Sequence, residues 1–263
     1  MAGHSKWANI KRQKARVDAV KGKTFAKISR QIIVAARTGV PDPAGNFQLR
    51  TAIDKAKAAG IPNDNIERAI AKGAGKAGGD SALEEIRYEG YGPGGVAILI
   101  EALTDNRNRT AAELRMALSK RGGNLGETGC VGWMFEQKGV VTVMGDLNGD
   151  PNGNLNEDDL LEAALTGGAE TYELSETEDG ERSADVLTTV PNLETLQRTL
   201  KTRGYTVTQT ELRWIPNNTV DVTEPEQAIA LLKTMDALED LDDVQSVTAN
   251  FDMADDLMAL SMV

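Results

Sequence analysis

Between Val140 and Leu212 the chain spells one complete β-α-β-β-α-β unit, and the stretches on either side spell the pieces of a second. Period-two alternation predicts strands over Val140–Met144, Thr171–Ser175, Ala184–Val190 and Tyr205–Leu212, and helical spacing predicts helices over Glu157–Leu165 and Leu193–Thr202. Upstream, Glu85–Gly90 alternates, Gly90–Gly95 is a Gly/Pro turn, and Val96–Leu103 is a mostly apolar strand. Asp105 or Asn106 then caps a helix carrying Ala111, Leu114 and Leu118, which ends at Gly122-Gly123 before a strand over Cys130–Phe135. That β-β-α-β run lacks one helix and one strand. Residues beyond 213 supply both: a helix over Pro225–Leu238 with Thr223 as its cap, and a strand over Val244–Phe251. The reading is α+β, with two ferredoxin-like α/β sandwiches, one inserted in the other. The outer sandwich takes residues 79–137 plus 214–263, and the inserted one takes 138–213.

Ahead of the sandwiches the pattern is helical. A helix from about Val20 stops at Thr38-Gly39 with Pro41 and Pro43 beyond it, a second covers Asn46–Ala59, and a third opens at Pro62-Asn63. They predict a small three-helix domain over residues 1–78, joined on by Lys72–Asp80, a linker with four glycines and no large apolar side chain. The Gly-Lys in that linker has neither a preceding strand nor Walker spacing, which argues against nucleotide binding. Residues 1–19 offer only Trp7, Ile10 and Val17 as large apolar groups, so this arm is expected to order on contact with a partner.

Charge divides the chain as sharply as periodicity does. Residues 1–80 hold sixteen Lys and Arg against six acids, whereas the remainder holds 13 against 34. Ten of those bases fall between Lys6 and Arg37: Lys6, Lys11, Arg12, Lys14, Arg16, Lys21, Lys23, Lys27, Arg30 and Arg37, opposed only by Asp18. A helix turns about 100° per residue, which gathers Lys23, Lys27, Arg30 and Arg37 on one face and Phe25, Ile28, Ile32, Ala35 and Ala36 on the other. Solvated helix faces mix both signs at i,i+4, and this one has no acid between Lys21 and Arg37. The arm and first helix are therefore predicted to hold nucleic-acid phosphates from an outward-facing cationic stripe. An acidic body will not hug a polyanion broadly, so binding is expected to concentrate there.

Several chemistries are argued against. One histidine, His4, and one cysteine, Cys130, leave no His-rich metal site, Ser-His-Asp triad or intrachain disulfide. Cys130 is expected as a small core residue of its strand. Asp146, Asn148, Asp150, Asn152, Asn154 and Glu157 follow calcium-loop spacing, but Pro151 takes the place of the turn glycine, so a polar surface loop is expected. Arg107 and Arg109 are placed either to reach RNA or to pair with acids of the sheet domains. Glu239–Asp243 is expected as a solvated helix end. With no recognisable nucleophile, phosphate loop or metal signature, no catalytic residue, metal, cofactor or small-molecule substrate is predicted. No run approaches 18 apolar residues and no apolar signal core opens the chain, so a cytoplasmic protein without a membrane partner is expected.

Ala2-Gly-His-Ser-Lys-Trp-Ala-Asn-Ile-Lys11, Lys21-Gly-Lys-Thr-Phe-Ala-Lys27, Thr104-Asp-Asn-Arg-Asn-Arg-Thr110, Gly129-Cys-Val-Gly-Trp-Met-Phe-Glu136 and Asp243-Val-Gln-Ser-Val247 together resemble the YebC/PmpR family. The resemblance spans essentially the whole chain. It implies a bacterial protein with a helical first domain and two α/β domains, a DNA-binding transcriptional regulator. It also implies a second possibility, because similar sequences include mitochondrial translational activators and ribosome-associated factors that aid peptide-bond formation on proline-rich sequences. In that case the same cations would meet rRNA or tRNA. A Lys-rich face without a helix-turn-helix signature favours backbone over base reading in either case.

Overall fold

This computed structural model describes Trp7 and residues 21–75, 83–146, 156–176 and 182–259. Lys6, Lys11, Arg12, Lys14 and Arg16, His4, most of the Gly-rich linker, most of the calcium-spaced loop and most of the Glu176–Glu181 turn lie outside those residues. The helical region comprises α1 (Lys21–Thr38), α2 (Phe47–Ala58) and α3 (Asn63–Gly73). Ile28, Ile32, Ile33, Ala35 and Ala36 of α1 pack against Leu49, Ala52, Ile53 and Ala56 of α2 and Ile66 and Ala69 of α3, with Phe25 half-buried at the margin. The apolar side of α1 is thus the one its periodicity marks. Asn46 caps α2, accepting from Leu49 N at 3.0 Å and donating to Ala35 O at 2.8 Å, which ties the loop back to α1. At α3 the cap position is Pro62, which has no side-chain bond, and Asn63 is the first helical residue.

The outer sheet is built from β1 (Glu84–Tyr91), β2 (Ala97–Thr104), α4 (Arg107–Ser119) and the two-residue β3 (Asn124–Leu125). The inserted unit then runs β4 (Phe135–Asp146), α5 (Glu157–Thr166), β5 (Ala169–Glu176), β6 (Arg182–Thr189), α6 (Leu193–Thr202) and β7 (Tyr205–Pro216). After it come β8 (Val220–Asp221), α7 (Pro225–Glu239), β9 (Val244–Ala249), β10 (Phe251–Asp252) and the short α8 (Asp255–Ala259). The chain forms two compact units, residues 1–135 with 216–263 and residues 136–215, so the three helices and the outer sheet belong to one unit.

In that first unit the sheet order is β3-β1-β2-β9, antiparallel throughout, with a register shift at Glu101/Ala102. Ile98 and Ile100 of β2 meet Leu114 and Leu118 of α4 and Leu231, Leu232 and Met235 of α7 in one apolar core. Trp7, only 3% exposed, sits in the same core. The expectation of an arm with little to bury is corrected at this residue: an indole buries about 200 Å² of largely apolar surface, enough to pin the arm to the sheet domain.

Three local readings also change. Cys130–Phe135 is not a strand but a loop closed by a 3-10 turn at Gly132–Met134, and Cys130 is half-exposed rather than core. The loop wraps the Glu89 carboxylate, which accepts from Gly129 N at 2.9 Å, Val131 N at 2.8 Å and Gly132 N at 2.7 Å. Gly129 has φ +92, and a Cβ on Gly132 would stand 3.0 Å from the carboxylate, which explains why both positions are glycine. Thr223 does not cap α7, whose cap position is Glu224, without a side-chain bond.

In the inserted unit the sheet order is β5-β6-β4-β7, the ferredoxin-like arrangement, covered by α5 and α6 through Leu160, Ala163, Leu196 and Leu200. On its polar side Arg213 is buried between Asp185 at 2.7 Å and Glu211 at 2.8 Å, and Thr142 donates to Asp185 at 2.6 Å.

Candidate nucleic-acid interface

The cationic ridge of α1 is real, and it faces inward on its own chain. Lys23 Nζ donates to Asp240 O at 3.3 Å and stands 3.9 Å from the Asp240 carboxylate. Lys27 Nζ donates to Glu239 O, and Arg30 Nη1 to Asp242 O. Arg30 Nη2 lies 3.5 Å from Asp243 Oδ1. Arg37, two turns beyond, donates to Leu83 O at 3.1 Å. The receiving surface is the C-terminal end of α7 and the turn after it. Terminal helix carbonyls lack intrahelical partners and carry the negative end of the macrodipole, and α7 has no basic residue in its last turn. The α1 ridge supplies the cations that the sequence of α7 does not.

This corrects the expectation of an outward-facing stripe at Lys27 and Arg30, which are half-buried, whereas Lys23 and Arg37 stay exposed. Lys23 keeps half of its side chain in solvent, 51%, so its contact with Asp240 is worth little by itself. Arg30 is more enclosed. Lys21 opens α1, and the remaining five predicted cations lie outside the described residues.

Asp243 is the group that sequence reasoning missed. Its carboxylate, 4% exposed, accepts from Arg109 Nη2 at 2.7 Å, Thr110 Oγ1 at 2.8 Å and Thr104 Oγ1 at 3.1 Å, with Arg30 on its other oxygen. Burial alone would raise its pKa, but the bonds from Arg109, Thr110 and Thr104 outweigh that and hold it below the ordinary aspartate value. Glu239–Asp243 is therefore not simply a solvated helix end. The open question at Arg107 and Arg109 resolves to pairing with acids, Arg107 with Glu84 and Arg109 with both Asp105 and Asp243. Asn106, accepting from Arg109 N at 3.1 Å, is the cap. No local pattern could have linked Arg109 to Asp243, because 134 residues separate them.

Glu89 behaves like Asp243: burial pushes its pKa up, and three backbone N–H donors with Arg87 bring it below the usual value. The Cys130 thiol is pushed up, by burial first and then by Glu89, which makes it a poor nucleophile at neutral pH. Among the described residues no cluster of His, Cys, Asp and Glu could hold a metal, and no helix is long and apolar enough to cross a membrane.

Fold and site together define an α+β protein whose basic helical domain is clamped to an acidic sheet sandwich that carries a second sandwich as an insertion. The chain belongs to the TACO1/YebC family: residues 5–76 match the model of the N-terminal domain of that family, and residues 83–251 match the model of its second and third domains. A protein of Trichormus variabilis named probable transcriptional regulatory protein is 71% identical over 262 residues, covering 99% of both chains. One from Gloeothece citriformis with the same descriptive name is 70% identical over 263 residues, covering 100% of each. The crystal structure of the conserved hypothetical protein Aq1575 from Aquifex aeolicus superposes with a TM-score of 0.79 at 44% identity, over 92% of this chain and 94% of that one.

Proposed function

We propose that this chain is a non-enzymatic, nucleic-acid-binding regulator of gene expression that grips the phosphates of duplex DNA through its N-terminal arm and α1. One observation carries the reading: ten cations and a single acid lie between Lys6 and Arg37 in a chain of net charge −11. The contacts of α1 support it. Lys23, Lys27 and Arg30 engage carbonyl and carboxylate oxygens on the acidic end of α7 and the turn after it, anionic acceptors of the kind that a phosphate backbone also presents. A polyanion would compete with the acidic turn for the ridge while the arm makes the first contact. The names of the relatives point the same way.

The test is the salt dependence of binding to duplex DNA. If about six phosphates are neutralised, log affinity falls with log salt at a slope of about −5. Replacing Lys6, Lys11, Arg12, Lys14 and Arg16 by Ala flattens the slope. Binding indifferent to salt and to those changes overturns the mechanism. Co-sedimentation with ribosomes in place of duplex binding would move the target to rRNA or tRNA and the role to translation.

A further inference from the structure

The outer sheet domain, residues 83–135 with 216–259, holds 18 acids and seven bases, and five of the seven fall between Arg107 and Arg121. Within that group the structure separates two kinds of cation. Arg107 and Arg109, in the first turn of α4, are matched to Glu84, Asp105 and Asp243. Arg115, Lys120 and Arg121, at the other end, have side chains that enter no hydrogen bond or ion pair among the described residues.

The packing of α4 leaves these three toward solvent, Arg115 on the helix and Lys120 and Arg121 where it ends. Thr110, Leu114 and Leu118 form its buried side. Three- and four-residue spacing then turns Asn108, Ala112, Arg115 and Ser119 to the opposite side, and all four are exposed. Met116, beside Arg115, is 66% exposed. Lys120 is exposed and Arg121 half-exposed where the chain leaves the helix through Gly122, with φ +85. The only acid on this outer half of α4 is the half-buried Glu113.

We infer that the C-terminal half of α4 is a second nucleic-acid contact, in which Arg115, Lys120 and Arg121 neutralise backbone phosphates and Met116 lies against a sugar or base. This rests on the nucleic-acid reading above and extends it. An acidic domain repels any polyanion the arm brings near, and a group of cations on that domain without partners among the described residues fixes where the strand crosses it. The alternative role, cations offsetting the negative end of the α4 dipole, needs neither Arg115, a full turn inside the helix, nor an exposed Met116.

The experiment compares the full chain with the Arg115→Ala, Lys120→Ala, Arg121→Ala variant by fluorescence anisotropy. Probes are a duplex DNA and a single-stranded RNA of the same sequence, each titrated across a salt series, with thermal melting in parallel. A charge-matched variant on the inserted domain, Arg182→Ala, Arg198→Ala, Lys201→Ala, is the control. The expected result is an affinity at least about tenfold weaker than the control, with a salt slope shallower by about 2 to 3 on the probe that is bound. The response of the two probes identifies whether DNA or RNA supplies the phosphates. Wild-type binding with an unchanged slope in the α4 variant overturns this contact alone, and a lowered melting temperature without loss of affinity assigns the cations to the helix dipole. Failure of the wild-type chain to bind either probe overturns both this inference and the reading on which it rests.

Discussion

Arg30 Nη2 stands 3.5 Å from Asp243 Oδ1, joining α1 to the residue that leads into β9. The other oxygen of the same carboxylate holds Arg109, Thr104 and Thr110, so one buried acid fastens α1, α4 and β9 together. The contact also places the charge that most suggests nucleic-acid binding against the acids of the same chain.

Removing the Asp243 charge should loosen that junction. Asp243→Asn keeps the shape but leaves Arg109 and Arg30 without their shared anion, and is expected to lower stability by about 2 kcal/mol. Arg30→Ala, which removes the more exposed member of the pair, should cost under about 1 kcal/mol. Urea unfolding of both single variants and the double reads the coupling. Full additivity would show that the pair does not act together.

Acid should weaken the first unit through Glu89 and Asp243. Both have pKa values held below those of the unfolded chain, so their stabilisation is complete above the ordinary carboxylate range, near pH 4. It is lost as pH falls through the depressed folded values. Glu89→Gln should lower the melting temperature at pH 7, because an amide cannot accept all three loop N–H groups, and should flatten the decline on the acid side. An acid limb unchanged by this substitution would place the titration elsewhere.

Trp7 anchors the arm. Trp7→Ala is expected to cost about 3 kcal/mol, the range for emptying a core aromatic site. The comparison is Ile10→Ala under the same denaturant conditions. An equal, small effect at both positions would contradict the burial of the indole.

Competition between the acidic turn and nucleic acid predicts a gain of function. Asp240→Asn with Asp242→Asn removes the carboxylate 3.9 Å from Lys23 Nζ and lowers the negative charge of the turn, whose Asp242 carbonyl still accepts from Arg30, and affinity for duplex DNA should rise about two- to fivefold at low salt, matching partly exposed pairs. The gain should vanish at high salt as screening removes the contact. Unchanged or weaker affinity at low salt would mean that the ridge is not what the polyanion displaces.

In the inserted unit, Asp185→Ala leaves the largely buried Arg213 guanidinium with Glu211 but without its second carboxylate, and is expected to cost about 3 kcal/mol. The double change Asp185→Leu, Arg213→Met should recover most of that stability, because neither the guanidinium nor the Asp185 carboxylate remains to be desolvated and Glu211, 23% exposed, keeps access to solvent. A double variant as unstable as the single would show that the network itself is required.

Much of this architecture was legible because it is encoded locally. Period-two runs and helical spacing located Leu193–Thr202, which the structure reproduces residue for residue, and the helix begun at Pro225. They also revealed that one sandwich interrupts another. The stretch from Cys130 to Phe135 was misread because its short alternating run looks like a strand, while its glycines serve a loop folded around the distant Glu89.

By itself the sequence determined the elements, the inserted sandwich and the segregation of positive charge toward the front of the chain, since each depends on residues close together along the backbone. Only the tertiary structure decided what the α1 ridge touches, that Trp7 is core, and that Arg107 and Arg109 are paired while Arg115, Lys120 and Arg121 find no partner among the described residues. The physical reason is that a charge has no fixed meaning until its neighbours are known. Those neighbours are delivered by chain closure between segments more than a hundred residues apart, as at Arg109 and Asp243, separated by 134, and no local pattern records that distance.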